Sequence, residues 1–171
     1  MLACTIILAV IGQLVSADQQ QQLALSTASS DFSQRLYQKV ALDKPNVVYS
    51  PFSIHLGLTM TSTGARGDTA TEMKNILGIT ALGSSVNSIY KELIQQINSV
   101  TDVELYTANA VFVWPDLSVV PRFTLDLSSY YSAQANRIKF SAGGGAEKPI
   151  NDDVAAMTKN IITVLPPTCE L

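Results

Sequence analysis

The chain has very few of the residues from which catalytic and metal sites are most often built. It contains one histidine, His55, and two cysteines, Cys4 and Cys169. A zinc site needs several such ligands, and a hydrolytic triad needs a histidine within reach of a nucleophile. His55 lies in an apolar segment, where we expect a buried side chain with one hydrogen-bond partner. The composition therefore indicates a protein that is not an enzyme and that holds neither a metal ion nor another cofactor.

The glycine-rich and acidic segments lack the spacing of a phosphate or metal site. Neither Gly64–Gly67 nor Gly143–Gly145 has the lysine of a phosphate loop or GxGxxG spacing, so we interpret both segments as hinges. Asp152 and Asp153 are adjacent near the start of a predicted helix, so their carboxylates face different directions. This position suits the dipole of the helix better than metal ligation.

Clusters of positive charge are also missing. The chain has 11 Lys and Arg residues against 14 Asp and Glu residues, a net charge of −3, and its basic residues do not form a run. This balance argues against nucleic acid or an anionic membrane surface as a partner. The predicted helix from about Ser85 to Ser99 contains a single lysine, Lys91, where a heparin-type site would need a basic cluster.

The longest apolar run lies at the amino terminus. Leu2–Val15 is too short to cross a bilayer as a helix, and Val15-Ser16-Ala17 at its end places small residues at the positions that a signal peptidase reads. We therefore predict a signal peptide over residues 1–17 and a secreted, extracellular protein. A buried helix and an uncleaved anchor are the alternatives. No later stretch is long and apolar enough to cross a membrane.

The rest of the chain is predicted to form a polar amino terminus, one domain and a short tail. Residues 18–24 include a glutamine run and are expected to be disordered. Residues 25–165 have a length that suits one domain, and residues 166–171 follow as a carboxyl tail. After signal cleavage Cys169 has no intramolecular partner, so it either plays no role or joins two chains.

Helical patterns come first in the domain. One amphipathic helix starts at Leu25, and a second has Ser50 as its N-cap and Pro51 as its first residue. Its residues are apolar on more than one face, which is typical of a buried helix. A third helix is predicted to begin with a capping box formed by Thr69 and Glu72.

Strand patterns follow the helices. Apolar alternation over Val103–Val113 and Gln134–Phe140 indicates two strands, and a helix that begins at Pro121 separates them. Strand, helix and strand in this order predict a parallel crossover. A last helix is predicted from about Pro149 to Leu165, and the fold class is therefore α+β.

Three sequence blocks resemble a known family. Residues Asn46–Ile54, with the sequence Asn-Val-Val-Tyr-Ser-Pro-Phe-Ser-Ile, and Gly64–Thr69 are similar to the amino-terminal signature of the serpins. Thr107–Phe112 is similar to a strand of the large serpin sheet, and Ile150-Asn151 to the helix over that sheet. The resemblance implies the amino-terminal portion of a serpin fold, with several helices packed on the first strands of a large sheet. Asp153 stands where the family usually has tryptophan.

The resemblance also implies an activity and a set of site residues. Serpins are serine-protease inhibitors that offer a reactive loop and insert it into the large sheet after cleavage. On this resemblance the chain stops before that loop. We therefore expect a serpin-family protein that does not inhibit a protease by itself. The sequence does not identify the target protease, because specificity lies in the loop. Asn46, Ser50 and Ser53 match positions of the shutter, where the sheet opens. A purely helix-capping role for the two serines is the alternative.

Two other interpretations of the function remain open. The chain is either a non-inhibitory binding protein that pairs with another serpin chain by strand addition, or a form without independent function. In the latter case it would be a truncated splice form or an incomplete gene model, and sequencing of the full-length transcript would decide.

Overall fold

A computed structural model of the chain describes residues 2–42, 46–102, 107–139 and 147–165, with side chains described from residue 18 onward. The chain divides into two units, Met1–Val100 and Thr101–Leu171. The predicted tail at residues 166–171, including Cys169, lies outside the described residues. None of the helices in the described part combines the length and the apolarity needed to span a bilayer.

The described part of the first unit is helical. It contains four α-helices and a short 3-10 turn at Thr80–Leu82: α1 Leu2–Val40, α2 Pro51–Ser62, α3 Gly67–Leu77 and α4 Ser85–Asn98. The predicted start of α2 is confirmed, because Ser50 is its N-cap and Pro51 its first residue. α3 begins at Gly67, two residues before the predicted capping box, and its N-cap Arg66 makes no side-chain capping hydrogen bond.

The core of the first unit forms where α1, α2 and α4 pack together with the end of α3. Its fully buried members include Leu56 on α2, Leu77 at the end of α3 and Ile94 on α4, each 1% exposed. α1 contributes Leu25, Ala28 and Phe32, which recur at helical spacing on one face. The α2 helix is buried on one face only, since Ile54 and Leu58 are 37% and 38% exposed.

The second unit contains a strand pair and two helices in its described residues. The elements are β1 Ala110–Val113, α5 Pro121–Tyr131, β2 Gln134–Arg137 and α6 Glu147–Met157. β1 and β2 pair in parallel, with Ala110 opposite Gln134, which confirms the predicted parallel crossover. Among the described residues of this unit, the buried apolar side chains are those of Leu127, Tyr131, Ala133 and Ile138.

The extents of α1 and α6 also differ from the sequence prediction. Residues 18–24, expected to be disordered, lie within α1 in the structure. Glutamine is a good helix former, so the run Gln19–Gln22 extends the helix instead of interrupting it. The last helix ends at Met157 and not near Leu165, because Lys159 and Asn160 adopt positive φ angles of 51° and 62°. Both differences follow from local backbone preferences.

Candidate functional site

Two serine hydroxyls meet at the amino-terminal end of α2. Ser50 has an extended backbone, and its Oγ accepts a hydrogen bond of 3.2 Å from the backbone N–H of Ser53. The Ser53 hydroxyl donates a second hydrogen bond, of 2.9 Å, to the same oxygen. Asn46 is exposed in the segment that precedes α2. Of the three predicted shutter residues, the structure therefore brings Ser50 and Ser53 into contact and leaves Asn46 on the exposed segment before them.

Ser50 closes the first turn of α2, and this local role needs no other part of the protein. An extended N-cap whose side chain binds a backbone N–H in the first turn is the usual way to satisfy a helix start. Such a cap stabilises a helix by about 1 kcal/mol. The Ser53 hydroxyl lies beside the cap and on the exposed side of the helix, where a neighbouring strand or ligand could reach it.

His55 occupies the centre of the first unit. The side chain is fully buried, and its two ring nitrogens lie within hydrogen-bonding distance of groups on two other helices. Nε2 lies 2.9 Å from the Leu77 carbonyl oxygen, and Nδ1 contacts the Tyr90 hydroxyl. A carbonyl oxygen only accepts, so Nε2 carries the proton and Nδ1 accepts from Tyr90. The predicted burial of His55 is confirmed, while the side chain has two hydrogen-bond partners and not one.

Burial sets the protonation states of this histidine–tyrosine pair. Desolvation lowers the pKa of His55, and the hydrogen bond to the Leu77 carbonyl offsets only part of that effect. Desolvation likewise raises the pKa of Tyr90, with a smaller opposing effect from the Thr59 hydroxyl beside it. The Thr59 Oγ1 is itself buried and makes no hydrogen bond of ordinary geometry. The pair is therefore neutral at pH 7.

The surroundings of His55 are those of a structural residue. The Phe32 ring on α1 packs edge-on against the imidazole, with a centroid distance of 5.2 Å and an interplanar angle of 72°. Both ring nitrogens are engaged, so neither is available to activate a nucleophile. Within the described part of the chain, no group of three or more His, Cys, Asp or Glu side chains could hold a metal ion. Asp152 forms an exposed ion pair of 2.6 Å with Lys148.

One feature of the first unit was not predicted from the sequence. A groove lies between α1, α2 and α4, and residues of the glutamine run form part of its wall. The local pattern of α1 contains no signal for it, because the groove depends on how α1 lies against α4. A hydrogen bond of 3.3 Å from Gln22 to Glu92, residues 70 positions apart, bridges these two helices.

Comparison with known proteins agrees with the resemblance of the three sequence blocks to the serpins. The family model described as Serpin (serine protease inhibitor) matches residues 27–170. Alpha-1-antichymotrypsin from Homo sapiens is 34% identical over 149 residues, which cover 84% of this chain and 35% of that protein. Thyroxine-binding globulin from Ovis aries is 31% identical over 164 residues, which cover 90% of this chain and 40% of that protein.

Solved structures show the same relationship in three dimensions. Human thyroxine-binding globulin aligns with a TM-score of 0.75 and 28% identity, over 86% of this chain and 42% of that one. Mouse protein-Z dependent protease inhibitor aligns with a TM-score of 0.78 at 21% identity, a likeness of fold alone. The chain thus spans about two fifths of the length of these relatives and carries an incomplete α+β serpin fold. It belongs to the serpin family.

Proposed function

We propose that this chain forms the amino-terminal part of the scaffold of a secreted serine-protease inhibitor. The match to the serpin family model over residues 27–170 is the observation that carries the proposal. Relatives whose names describe inhibitors, such as alpha-1-antichymotrypsin and serine protease inhibitor A3N from Rattus norvegicus, support inhibition as the activity of the whole protein. A serine protease would then be the partner of that whole protein.

Secretion is supported by the amino-terminal sequence. The apolar segment Leu2–Val15 is followed by Ser16 and Ala17, which are small residues suited to signal-peptide cleavage. Expression in a secreting cell line, followed by amino-terminal sequencing of the medium protein, should give a first residue of Asp18. Retention of residues 1–17 on a cell-bound product would contradict secretion.

Inhibition of a protease by the serpin mechanism needs more than this scaffold. The serpin mechanism requires a reactive loop and a sheet that opens to receive it as a new strand. In the described residues the sheet consists of β1 and β2. We therefore propose that the 171-residue chain by itself forms no covalent complex with a protease.

The test is incubation of the purified chain with trypsin and with chymotrypsin, followed by denaturing electrophoresis. Human alpha-1-antichymotrypsin with chymotrypsin is the positive control. We expect digestion or survival of the chain without any band at the summed mass of chain and protease. An SDS-stable adduct of this chain with either protease would overturn the proposal that it is not inhibitory alone.

We also propose that Asn46, Ser50 and Ser53 belong to the shutter region of the whole protein. The exposed position of Ser53 beside the Ser50 cap supports this assignment, because its hydroxyl is within reach of a strand laid over the start of α2. A shutter role predicts that Ser53→Ala costs more stability in a serpin chain with a complete sheet than in this chain. Equal costs in the two chains would leave capping as the role of these serines.

A second candidate function is pairing with another serpin chain. In the described residues β1 and β2 pair only with each other, so each strand has one edge without a strand beside it. Such edges are templates for strand addition. Sedimentation velocity of the chain mixed with human alpha-1-antichymotrypsin should then show co-migration. A chain that stays monomeric in this mixture and unfolds cooperatively would contradict pairing.

A further inference from the structure

The groove between α1, α2 and α4 has the size of a small-molecule site. Its volume is about 490 Å³, and ligand sites in proteins are typically clefts of about 300–1,000 Å³. The described residues that line it all belong to the first unit. The groove is therefore a property of the helical unit itself.

The floor of the groove is apolar and well packed. Leu25, Ile89 and Tyr90 form it, and they are 3%, 3% and 1% exposed. The Phe52 ring forms an aromatic wall, with its centroid 6.4 Å from that of Tyr90 and a tilt of 53° between the two rings. Flat aromatic surfaces of this kind pack well against planar apolar rings.

The polar residues described in the lining of the groove are uncharged. The residues that line it include glutamines and serines on α1, such as Gln22 and Ser26, and none of its lining residues is Asp, Glu, Lys or Arg. A charged ligand group would therefore lose its hydration without gaining an ionic partner in the lining, which is costly. The lining, together with the Glu92 carboxylate beside Gln22, thus favours an uncharged ligand over an anion.

A hydrogen bond to α4 orients the Gln22 carboxamide. Its Nε2 donates a hydrogen bond to the Glu92 carboxylate, which can only accept, so the assignment of nitrogen and oxygen is determined. The Oε1 atom is the acceptor end of the same carboxamide. A ligand that places a hydroxyl or amine hydrogen near this end of the groove gains a hydrogen bond there.

We propose that the groove binds an uncharged amphipathic small molecule that has a planar apolar ring system and one hydrogen-bond donor. The rings would lie on the floor formed by Leu25, Ile89 and Tyr90, against Phe52. The donor would face the Gln22 carboxamide oxygen. Binding is reversible and non-covalent, and it is independent of any protease.

A matched pair of fluorescent probes tests the chemistry of the ligand. N-phenyl-1-naphthylamine is uncharged, has fused rings and carries one N–H donor, and 1-anilinonaphthalene-8-sulfonate adds an anionic sulfonate to the same skeleton. Titration of the full chain with the uncharged probe should give a saturable rise in emission with one site per chain. The anionic probe should bind at least about tenfold more weakly, a difference of about 1.4 kcal/mol. Equal or tighter binding of the anionic probe would overturn the proposal.

Two adjacent substitutions on α1 test the location. Gln22 lines the groove, whereas Gln21 is exposed, is not part of the lining and is rotated by about 100° around the helix. Gln22→Phe should fill the groove and weaken binding of the uncharged probe by about tenfold or more, and Gln21→Phe should leave its affinity unchanged. Equal affinities in the two variants would place the probe elsewhere and overturn the proposal.

Folding of the variants is checked by far-ultraviolet circular dichroism and by thermal unfolding. If Gln22→Phe lowers the folded fraction, Ser26→Phe replaces it, since Ser26 also lines the groove and its exposed side chain tolerates a larger group. A folded Ser26→Phe variant that still binds the uncharged probe with unchanged affinity would count against the groove as the site.

Discussion

His55 connects four helices through one side chain, and its protonation is therefore linked to the stability of the first unit. It lies on α2, and its neighbours are Leu77 on α3, Tyr90 on α4 and Phe32 on α1. The tautomer that this arrangement fixes is neutral. A second proton on Nδ1 would turn the acceptor of the Tyr90 hydroxyl into a donor and would add a charge in the core.

The pKa of His55 predicts a loss of stability in mild acid. Burial lowers this pKa in the folded state, while the unfolded chain keeps the ordinary value of 6.5. Above pH 6.5 the neutral histidine makes its full contribution to the free energy of unfolding. Between pH 6.5 and the lowered pKa of the folded state this contribution is lost, because the unfolded state takes up the proton first. The free energy of unfolding in urea should fall as the pH is lowered from 7.5 to 5.5, with a slope of at most about 1.4 kcal/mol per pH unit for this one group.

The control for this prediction is His55→Leu, which removes the titrating group and keeps an apolar side chain in the core. Its free energy of unfolding should be lower at pH 7.5, because the Leu77 carbonyl loses its hydrogen-bond donor. Its dependence on pH between 7.5 and 5.5 should be much flatter. An unchanged slope in this variant would assign the pH dependence to another group.

The two serines at the start of α2 should differ in their contribution to this chain. Ser50→Ala removes the oxygen that receives both hydrogen bonds and should lower the free energy of unfolding by about 1 kcal/mol. Ser53→Ala keeps the backbone donor to the cap and should cost less than about 0.5 kcal/mol. Chemical denaturation of the two variants measures the difference. A larger cost for Ser53→Ala would mean that its hydroxyl does more than support the cap.

At the scale of the elements, the end of α3 depends on a glycine. Gly78 has a φ of 70°, and its backbone N–H bonds to the Asn75 carbonyl in the final turn. A Cβ added at Gly78 would lie 3.2 Å from the Cβ of Ala28 on α1. Gly78→Ala should therefore cost more than the strain of about 1–2 kcal/mol expected for a left-handed alanine.

Gly67 provides the matched control for that substitution. It has a φ of 60°, and an added Cβ would meet nothing within 4 Å. Gly67→Ala should carry the backbone strain alone, so the excess cost of Gly78→Ala measures the close approach of α3 to α1. Thermal unfolding of both variants gives the comparison. Equal costs would show that Ala28 moves aside without loss of packing.

Local sequence signals predicted some element boundaries and missed others for identifiable reasons. The Ser50-Pro51 pair located the start of α2, because an N-cap and an N1 proline act within one turn. The prediction of Thr69 as the N-cap was wrong by three residues, because Arg66 occupies that position and makes no side-chain capping hydrogen bond. The polarity of residues 18–24 predicts disorder, but these residues lie within α1 because glutamine favours a helix.

The sequence pattern does not predict contacts in the candidate sites between residues that are far apart in the chain. The burial of His55 follows from its apolar surroundings in the sequence, but its contact with Tyr90 joins residues 35 positions apart. The groove likewise requires α1 to lie against α4. No periodicity within one helix encodes the partner of that helix, so these contacts become visible only in the folded chain.

At the scale of the whole molecule, the two units differ in how much apolar surface they bury. The first unit has a core built from four helices, whereas the described part of the second buries Leu127, Tyr131, Ala133 and Ile138. Residues of β1 are only partly buried, and α6 has no buried residue. Local stability follows buried apolar contacts, so the second unit should open more readily than the first.

Hydrogen exchange of the full chain, followed by mass spectrometry of its peptides, measures this difference. Backbone amides of α2 and α4 should exchange slowly, those of β1 and β2 faster, and those of α6 fastest, because no buried side chain holds this helix. Leu127→Ala should speed exchange in α5 and β2, because it removes a fully buried side chain. The control is Leu125→Ala, a substitution on the same helix at a position that is 57% exposed. Protection of α6 equal to that of α4 would contradict the prediction, and it would mean that contacts other than its own buried side chains hold α6.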